Sequence, residues 1–228
     1  MTVFAEPQLT LPPAGETASL TLNRSGRLIE VLLTAPRGES ALGGCVVCHP
    51  HPLYGGAMSN KVVYSLATTA SKAGFLTLRF NFRGVGKSTG LHDGGSGETD
   101  DTIWLQQQLR AALPAGAPLV LAGFSFGAFV ALKAAAAVQP AALMSVAPPF
   151  GKYFGEAPRP PHPGCPWTVI HSRDDDTVAY AETVAELAAY VPAPHLVTVD
   201  GAGHFFHGRL SEVNAAFAEL LVQLGARG

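Results

Sequence analysis

The sequence predicts an α/β fold in which a mostly parallel central sheet of about eight strands is covered by helices on both faces. From Gly43 onward, short apolar segments alternate with helical patterns, which is typical of right-handed strand–helix–strand crossovers. Of the 228 residues, 47% are apolar and 14% are charged, so the chain can bury one large core. Because no internal repeat or linker interrupts the pattern, we expect a single domain over residues 1–228.

The first two strands are predicted as an antiparallel hairpin. TASLTLN (17–23) and RLIEVLLTAP (27–36) flank a turn at Ser25 and Gly26. Six later segments are short and apolar, as buried parallel strands are. They are Gly44–Cys48, Phe75–Phe80, Leu119–Phe124, Ala142–Ala147, Trp167–His171 and His195–Asp200.

The clearest helix is the last one, where apolar residues recur at helical spacing from Leu210 to Leu224. AFVALKAAAAV, which follows Phe126, is rich in alanine and predicts a central helix packed closely against the sheet. The proline-rich segment of residues 147–166 is predicted to be a loop between two strands. It is too short for a lid domain, so we expect none.

Charge and composition limit the partners of this protein. A net charge of −2 gives no electrostatic basis for binding nucleic acid or a membrane surface, so we expect a small, weakly charged molecule. Residues 1–16 lack the basic region and apolar run of a signal peptide, and no segment approaches a membrane-spanning length. Three cysteines, an odd number, favour reduced thiols and a cytoplasmic location. The sequence leaves open whether the chain is a monomer or a homodimer.

The segment GGCVVCHPHPLYGG contains the C-x-x-C-H pattern of covalent haem attachment. Its first half reads as a buried strand, in which Cys45 and Cys48 face opposite sides of the sheet and cannot grip one haem. His49 and His51 are spaced as metal ligands can be, but no third and fourth ligands accompany them. We therefore expect no metal and no cofactor.

NFRGVGKST, residues 81–89, nearly spells the phosphate-binding loop of nucleotide hydrolases. That pattern needs glycine at its first position, where this chain has Asn81, and a helix directly after it. Here LHDGGSGETDD (91–101) intervenes and is predicted to be a loop. Nucleotide binding is therefore not predicted.

GFSFG, residues 123–127, lies between a predicted strand and the alanine-rich helix. In that context G-x-S-x-G forms a sharp turn that projects the serine at the start of the helix. Small residues are needed on both sides because a side chain at Gly123 or Gly127 would collide with its neighbours. The pattern predicts Ser125 as a nucleophile.

A nucleophilic serine needs a base and an orienting carboxylate, and later strands deliver both in the expected order. SRDDDTV follows one strand, and GAGHFFHGRL follows the next. We take Asp175 as the acid because Val178, three residues on, is predicted to begin the next helix. Asp174, as a solvated turn residue, and Asp176, as a helix cap, are the alternatives. His204 is taken as the base, and His207 as a neighbour of the site near the last helix.

Five segments in this order give the chain a specific resemblance to the α/β-hydrolase fold family, and above all to small bacterial members without a lid. They are CHPHPLYGG, NFRGVGKSTG, GFSFG, HSRDDDTV and GAGHFFHG, and the resemblance runs from about Leu28 to the last helix. The family's acid loop usually starts His-Gly and ends Val-Pro. This chain has His171-Ser172 and Val178-Ala179 instead, a departure that bears on the choice of Asp175 and not on that of His204.

The resemblance also assigns a role to the HPHP loop. In the family, the loop after the third strand supplies one backbone N–H of the oxyanion hole, and the residue after the nucleophile, here Phe126, supplies the other. Prolines have no N–H, so the donors available in the loop are His51 and, further on, Leu53 or Tyr54. We expect His51 to be the donor. Arg83 and the glycines near it are expected to brace the turn after the fourth strand.

The expected activity is hydrolysis of a small ester or thioester through an acyl-enzyme on Ser125. A peptidase, an amidase or an acyltransferase with the same triad is the alternative. A further alternative of another class is a hydrolase fold that only binds its ligand. The sequence does not identify the acyl group or the leaving group.

Overall fold

The computed structural model describes residues 9–38, 40–150 and 159–225. Within these ranges one sheet holds eight strands: β1 (Thr17–Arg24), β2 (Arg27–Thr34), β3 (Gly43–Cys48), β4 (Phe75–Phe80), β5 (Leu119–Phe124), β6 (Ala142–Val146), β7 (Trp167–Ser172) and β8 (His195–Val199). Their order across the sheet is β1-β2-β4-β3-β5-β6-β7-β8. The pairs β1–β2 and β2–β4 are antiparallel, and all other neighbours are parallel.

Helices cover both faces of the sheet. The described ranges contain α1 (Lys61–Lys72), α2 (Ser96–Ala111), α3 (Phe126–Val138), α4 (Tyr180–Leu187) and α5 (Leu210–Gly225). One apolar cluster joins the sheet to α1 and α5, and the other joins it to α2, α3 and α4. Both the fold class and the strand count predicted from the sequence are confirmed.

Strand β3 contributes side chains to both apolar clusters, one on each face of the sheet. All six of its residues are buried, because both faces of the sheet are covered. Val46 and Cys48 pack into the cluster with α2 and α3, whereas Cys45 and Val47 pack into the cluster with α1 and α5. The two thiols therefore lie on opposite faces, as the strand periodicity predicts.

The segment after the fourth strand differs from the prediction. LHDGGSGETDD was predicted to be a loop, but its second half forms the start of α2 at Ser96. The Glu98 carboxylate accepts a hydrogen bond from the Gly95 amide (2.9 Å), and Asp93 accepts one from Gly97 (2.8 Å). These side chains cap the start of the helix. The sequence pattern did not predict this start because the neighbouring glycines are poor helix formers.

Two other predictions concern the start of α4 and the proline-rich segment. Helix α4 begins at Tyr180, two residues later than the predicted start at Val178. Of the proline-rich segment predicted as a loop, residues 151–158 lie outside the described residues. In the described ranges, no helix has the length and apolar character needed to cross a membrane.

The sheet topology determines where a site can form. Strand β3 has β4 on one side and β5 on the other, so the chain order reverses there and a crevice opens beyond the strand ends. The parallel strands β3, β5, β7 and β8 all end at this edge. The HPHP loop, Ser125, the three aspartates and His204 follow these four strand ends.

Candidate active site

Ser125 lies between β5 and α3 with φ 53° and ψ −123°, a backbone conformation that non-glycine residues rarely adopt. Its amide donates to the Val146 carbonyl (2.8 Å), and its own carbonyl accepts from Ala128 (2.8 Å). These bonds hold the turn in place and offset a strain that costs about 1–3 kcal/mol. Strain of this kind concentrates at functional sites, so the backbone itself points to Ser125.

The two glycines of the turn are required by space. A Cβ atom at Gly123 would overlap the carbonyl of Gly127, and one at Gly127 would overlap the carbonyls of Cys48 and His49. The first glycine lets the chain fold back on itself. The second lets α3 approach the end of β3 closely, which brings the HPHP loop beside the serine.

The structure brings together the serine, the histidine and the aspartate predicted from the sequence. His204 Nε2 lies 3.1 Å from Ser125 Oγ, and His204 Nδ1 lies 2.8 Å from Asp175 Oδ2. Because a carboxylate only accepts, Nδ1 carries the ring proton and Nε2 is the nitrogen that can take a proton from the serine. His204 is 4% exposed and Asp175 8%, so water does not compete for these bonds.

Asp175 receives four hydrogen bonds. Its Oδ1 accepts from the amides of Thr177 (2.9 Å) and Val178 (2.7 Å), and its Oδ2 accepts from the rings of His204 and His171. Burial alone would raise the pKa of Asp175, but the hydrogen bonds from His171, His204 and the Val178 amide bring it well below its ordinary value. The carboxylate is therefore ionised at neutral pH.

His171 is a site residue that the sequence reasoning missed. It is fully buried at the end of β7, and its Nε2 lies 3.2 Å from Asp175 Oδ2 and 3.0 Å from the Val178 carbonyl. Both partners are acceptors, so Nε2 must carry the proton and donate. The available signal was its position four residues before the chosen aspartate, directly at the strand end.

Of the other two aspartates, the structure agrees with the prediction for Asp174 and contradicts it for Asp176. Asp174 is an exposed turn residue, as predicted, and its carboxylate also accepts from the amides of Gly201 (2.9 Å) and Gly203 (3.2 Å). It thereby ties the acid loop to the turn that delivers His204. Asp176 was taken as a helix cap, but α4 has no side-chain cap, and Asp176 accepts only from the Thr177 hydroxyl in the described contacts.

His207 is exposed and lies three residues before α5. Its ring stacks on Phe205 at a centroid distance of 6.0 Å, and none of its described contacts reaches Ser125 or Asp175. Its position is that of a neighbour of the site.

The HPHP loop forms one wall of the site. His51 precedes a short 3-10 turn (Pro52–Tyr54), and its ring packs 4.9 Å from that of Phe126. The Leu53 amide donates to His51 Nδ1 (3.2 Å) and the Tyr54 amide to the His51 carbonyl (3.2 Å). The amides of Leu53 and Tyr54, the alternative donors of the sequence analysis, are thus engaged inside the loop.

His49 braces this wall from behind. It is fully buried, its Nδ1 lies 2.6 Å from the Pro50 carbonyl, and its Nε2 accepts from the Phe82 amide (2.9 Å). Desolvation lowers its pKa to about 4, so the ring is neutral. Both ring nitrogens are used in joining the β3 and β4 loops, and the described residues contain no group of three metal-ligating side chains.

A second histidine–carboxylate pair supports His51 from the side. The His92 ring lies 4.7 Å from that of His51, and its Nδ1 lies 2.9 Å from Glu98 Oε1. Desolvation, together with the neighbouring Asp93, raises the pKa of Glu98. Glu98 is fully buried and also caps α2, so the helix start and the HPHP loop are held by the same side chain.

These residues line a cleft of about 580 Å³, within the size range of sites for small molecules. Ser125 and His204 lie at its base. Its described lining is mostly uncharged and contains no carboxylate: Pro50, His51, Tyr54, Gly55, Gly56, Asn60, Ser125, Pro149, Thr177, Val178, His204 and Phe205. Such a cleft suits an uncharged, partly apolar molecule.

Comparisons with known proteins agree with this architecture. A family model described as alpha/beta hydrolase fold matches residues 51–164. A serine hydrolase without a lid from Xanthomonas campestris is 37% identical, with a TM-score of 0.83 over 94% of this chain and 97% of that one. An alpha-beta serine hydrolase homologue from Coxiella burnetii is 35% identical, with a TM-score of 0.82 over 92% of this chain and 99% of that one.

A curated sequence relative extends the similarity. An uncharacterised protein of Rickettsia prowazekii is 33% identical over 208 residues, which cover 84% of this chain and 82% of that protein. The likeness thus includes nearly the whole chain and does not depend on one motif.

Proposed function

The chain belongs to the α/β-hydrolase fold family, and we propose that it cleaves small esters or thioesters through an acyl-enzyme on Ser125. The observation that carries the proposal is the unbroken hydrogen-bonded series from Asp175 through His204 to Ser125, at 2.8 and 3.1 Å. The series opens on a cleft, and the serine has the strained backbone of a nucleophile turn.

In the proposed acylation step, Ser125 Oγ attacks the substrate carbonyl carbon while its proton passes to His204 Nε2. The carbonyl electron pair moves to oxygen, giving a tetrahedral oxyanion. When this collapses, the bond to the leaving group breaks, and the leaving oxygen or sulfur takes the proton from Nε2. Asp175 keeps the ring in the required tautomer and balances its charge.

Deacylation repeats these transfers with water as the nucleophile. His204 Nε2 takes a proton from the water as its oxygen attacks the acyl carbon, and Ser125 Oγ leaves with that proton. The products are a carboxylic acid and the free enzyme. Both steps pass through an oxyanion at the same place.

We propose that the amides of Phe126 and His51 hold this oxyanion. Phe126 is the first residue of α3, at the positive end of the helix dipole. His51 lies on the facing wall, and the packing of its ring on Phe126 fixes the spacing between the two backbones. Amides placed in advance stabilise the charge as it develops.

The cleft favours esters over peptides. Its described lining has no carboxylate that would hold an amino group, whereas Val178, Pro149 and Phe205 offer apolar surface to an acyl chain. At about 580 Å³ it fits short acyl chains better than long lipids. A non-catalytic binding role would give no reason for the strained serine.

The test is a panel of aryl esters and acyl-thioesters of graded acyl length, with amino-acid arylamides for comparison. We expect hydrolysis of short-chain esters or thioesters by the wild type and none above background by Ser125→Ala. A fluorophosphonate probe should label the wild type at Ser125 only. Undiminished turnover by Ser125→Ala would refute the proposal, and faster turnover of arylamides would refute the ester assignment.

The base is tested by a matched pair of histidine variants. His204→Ala should lower kcat by roughly 10³-fold or more, because the serine loses its proton acceptor. His207→Ala should stay within about three-fold of the wild type, since its ring lies outside the hydrogen-bonded series. Comparable losses in both variants would contradict the assignment.

A further inference from the structure

A second cavity, of about 450 Å³, lies between the β1–β2 hairpin and α1 and shares no lining residue with the cleft at Ser125. We call it the basic cavity, because its described lining contains three cationic side chains and no carboxylate. The cations are Arg37, Lys72 and Arg79. The proposed hydrolysis gives none of these residues a role.

Arg79 lies on β4, and its side chain enters the floor of the basic cavity while the residue is only 8% exposed. Its Nη1 donates to the Met58 carbonyl (3.0 Å), and its guanidinium lies over the Tyr64 ring at 5.2 Å. Its Nε is buried and has no hydrogen-bond partner among the described residues. The buried cation thus has an incomplete set of partners.

In the described part of the chain, no ion pair includes Arg79. Desolvation lowers its pKa, but an arginine stays charged at neutral pH. Burying an unpaired charge is costly, and a carbonyl and an aromatic ring offset only part of that cost. An anion in the adjoining cavity would supply the missing countercharge.

The rest of the lining matches an oxyanion. Thr68 and Ser71 on α1 bring hydroxyl groups to the wall, and the exposed Lys72 and Arg37 stand at the rim. The described ion pairs include neither of these two cations. Arginine binds phosphate and carboxylate oxygens through its fork of N–H groups. Three positive charges suit a doubly charged phosphate better than a single carboxylate.

We propose that the basic cavity binds a small molecule carrying a phosphate group, with Arg79 as its main charge partner and Lys72 and Arg37 at the rim. The volume of the cavity accommodates a small organic portion beside the phosphate. Tyr64 and Ala67 offer that portion a surface of low polarity. The site is independent of Ser125, so the proposal stands whether or not the esterase function does.

The experiment measures binding of inorganic phosphate and of glycerol 3-phosphate to the full chain by calorimetric titration, at ionic strength held constant with sodium chloride. Succinate serves as the carboxylate comparison. Lys72→Gln and Arg37→Gln test the rim, and Arg79→Gln tests the floor. Lys61→Gln is the matched control, because Lys61 is exposed on the same helix but does not line the cavity.

We expect both phosphates to bind more tightly than succinate. Each rim variant should weaken binding about two- to five-fold, as loss of an exposed charge contact does. Arg79→Gln should weaken it about ten-fold or more, and Lys61→Gln should leave it unchanged. Ester hydrolysis should stay at the wild-type rate in Lys72→Gln and Arg37→Gln, which shows that those proteins are folded.

Two results would overturn the proposal. One is binding of phosphate that does not exceed that of chloride at equal ionic strength. The other is that Lys61→Gln and the double variant Lys72→Gln/Arg37→Gln bind phosphate with equal affinity. Because Lys72 and Arg37 are exposed, we expect their variants to fold. These variants therefore decide the question even if Arg79→Gln does not fold.

Discussion

At the scale of single residues, His171 explains how the buried carboxylate of the proposed triad is held in place. Its Nε2 and the His204 ring donate to the same Asp175 oxygen, at 3.2 and 2.8 Å, from two different strand ends. An oxygen fixed from both sides cannot rotate away when His204 becomes charged. In the proposed mechanism His171 is therefore a positioning residue, which acts through Asp175.

We predict that His171→Phe lowers kcat roughly ten-fold and leaves KM unchanged, because Asp175 loses a hydrogen bond to its charged form. Stability should change by only about 1 kcal/mol, since the variant also removes Nδ1, a buried nitrogen without a hydrogen-bond partner among the described residues. His171→Gln, which retains an N–H donor, should recover part of the loss. Steady-state kinetics with thermal unfolding checks this, and a large fall in stability with unchanged kcat would contradict it.

At the scale of elements, the start of α3 and the end of β3 form one unit, because the helix can reach the strand only where it has no side chain. A Cβ atom at Gly127 would overlap the carbonyls of Cys48 and His49, which begin the HPHP loop. Relief of this overlap would move either the loop that carries His51 or the turn that carries Ser125. Packing between two elements and the geometry of the site thus depend on the same contact.

Gly127→Ala should therefore reduce kcat by roughly 10²-fold, because small displacements of an oxyanion donor are costly. The control is Gly116→Ala, in the loop before β5, where an added Cβ meets no atom within 4 Å. That change costs only the left-handed backbone strain, about 1–2 kcal/mol of stability, and should leave kcat intact. Equal kcat in the two variants would contradict the coupling. Activity and thermal unfolding of both proteins provide the measurement.

How far the sequence could predict these elements depended on how local their signals were. The strands and Ser125 follow from apolar runs and from a five-residue pattern, both of which act over short distances. The start of α2 was missed because the glycines there weaken the helical pattern. The hydrogen bonds by which Glu98 and Asp93 cap the helix cannot be seen in the sequence. The role of His171 was missed because its spacing from Asp175 does not show that the two side chains meet. The bonds from Gly201 and Gly203 to Asp174 were missed because those amides follow another strand.

At the scale of the whole molecule, one buried aspartate joins three separate parts of the chain. Asp101 on α2 is 2% exposed and accepts from Arg24 (2.6 Å) and Arg27 (2.6 and 2.8 Å) of the β1–β2 hairpin. It also accepts from Arg83 (2.7 Å) in the loop after β4, the bracing role that the resemblance implied. The hairpin, that loop and α2 are thereby held by a single carboxylate.

Burial alone would raise the pKa of Asp101, but hydrogen bonds from Arg27, Arg83 and Arg24 outweigh it, so the pKa lies below its ordinary value. A carboxylate whose pKa is depressed on folding stabilises the folded state above its unfolded pKa of about 3.9. That contribution is lost as the pH falls through the folded pKa. The network should therefore matter at neutral pH and fade in acid.

We predict that Asp101→Asn lowers the free energy of unfolding by roughly 3 kcal/mol at pH 7, because Arg24 and Arg27 lose their carboxylate partner and Arg83 keeps only Asp93. Asp100→Asn, an exposed neighbour on α2, should change it by less than about 0.5 kcal/mol. Denaturant unfolding at pH 7 and at intervals below about pH 4 measures both. The difference between the wild type and Asp101→Asn should shrink as the pH falls, since protonation neutralises the native carboxylate too. A difference that stays constant with pH would show that the aspartate acts through its shape and not through its charge.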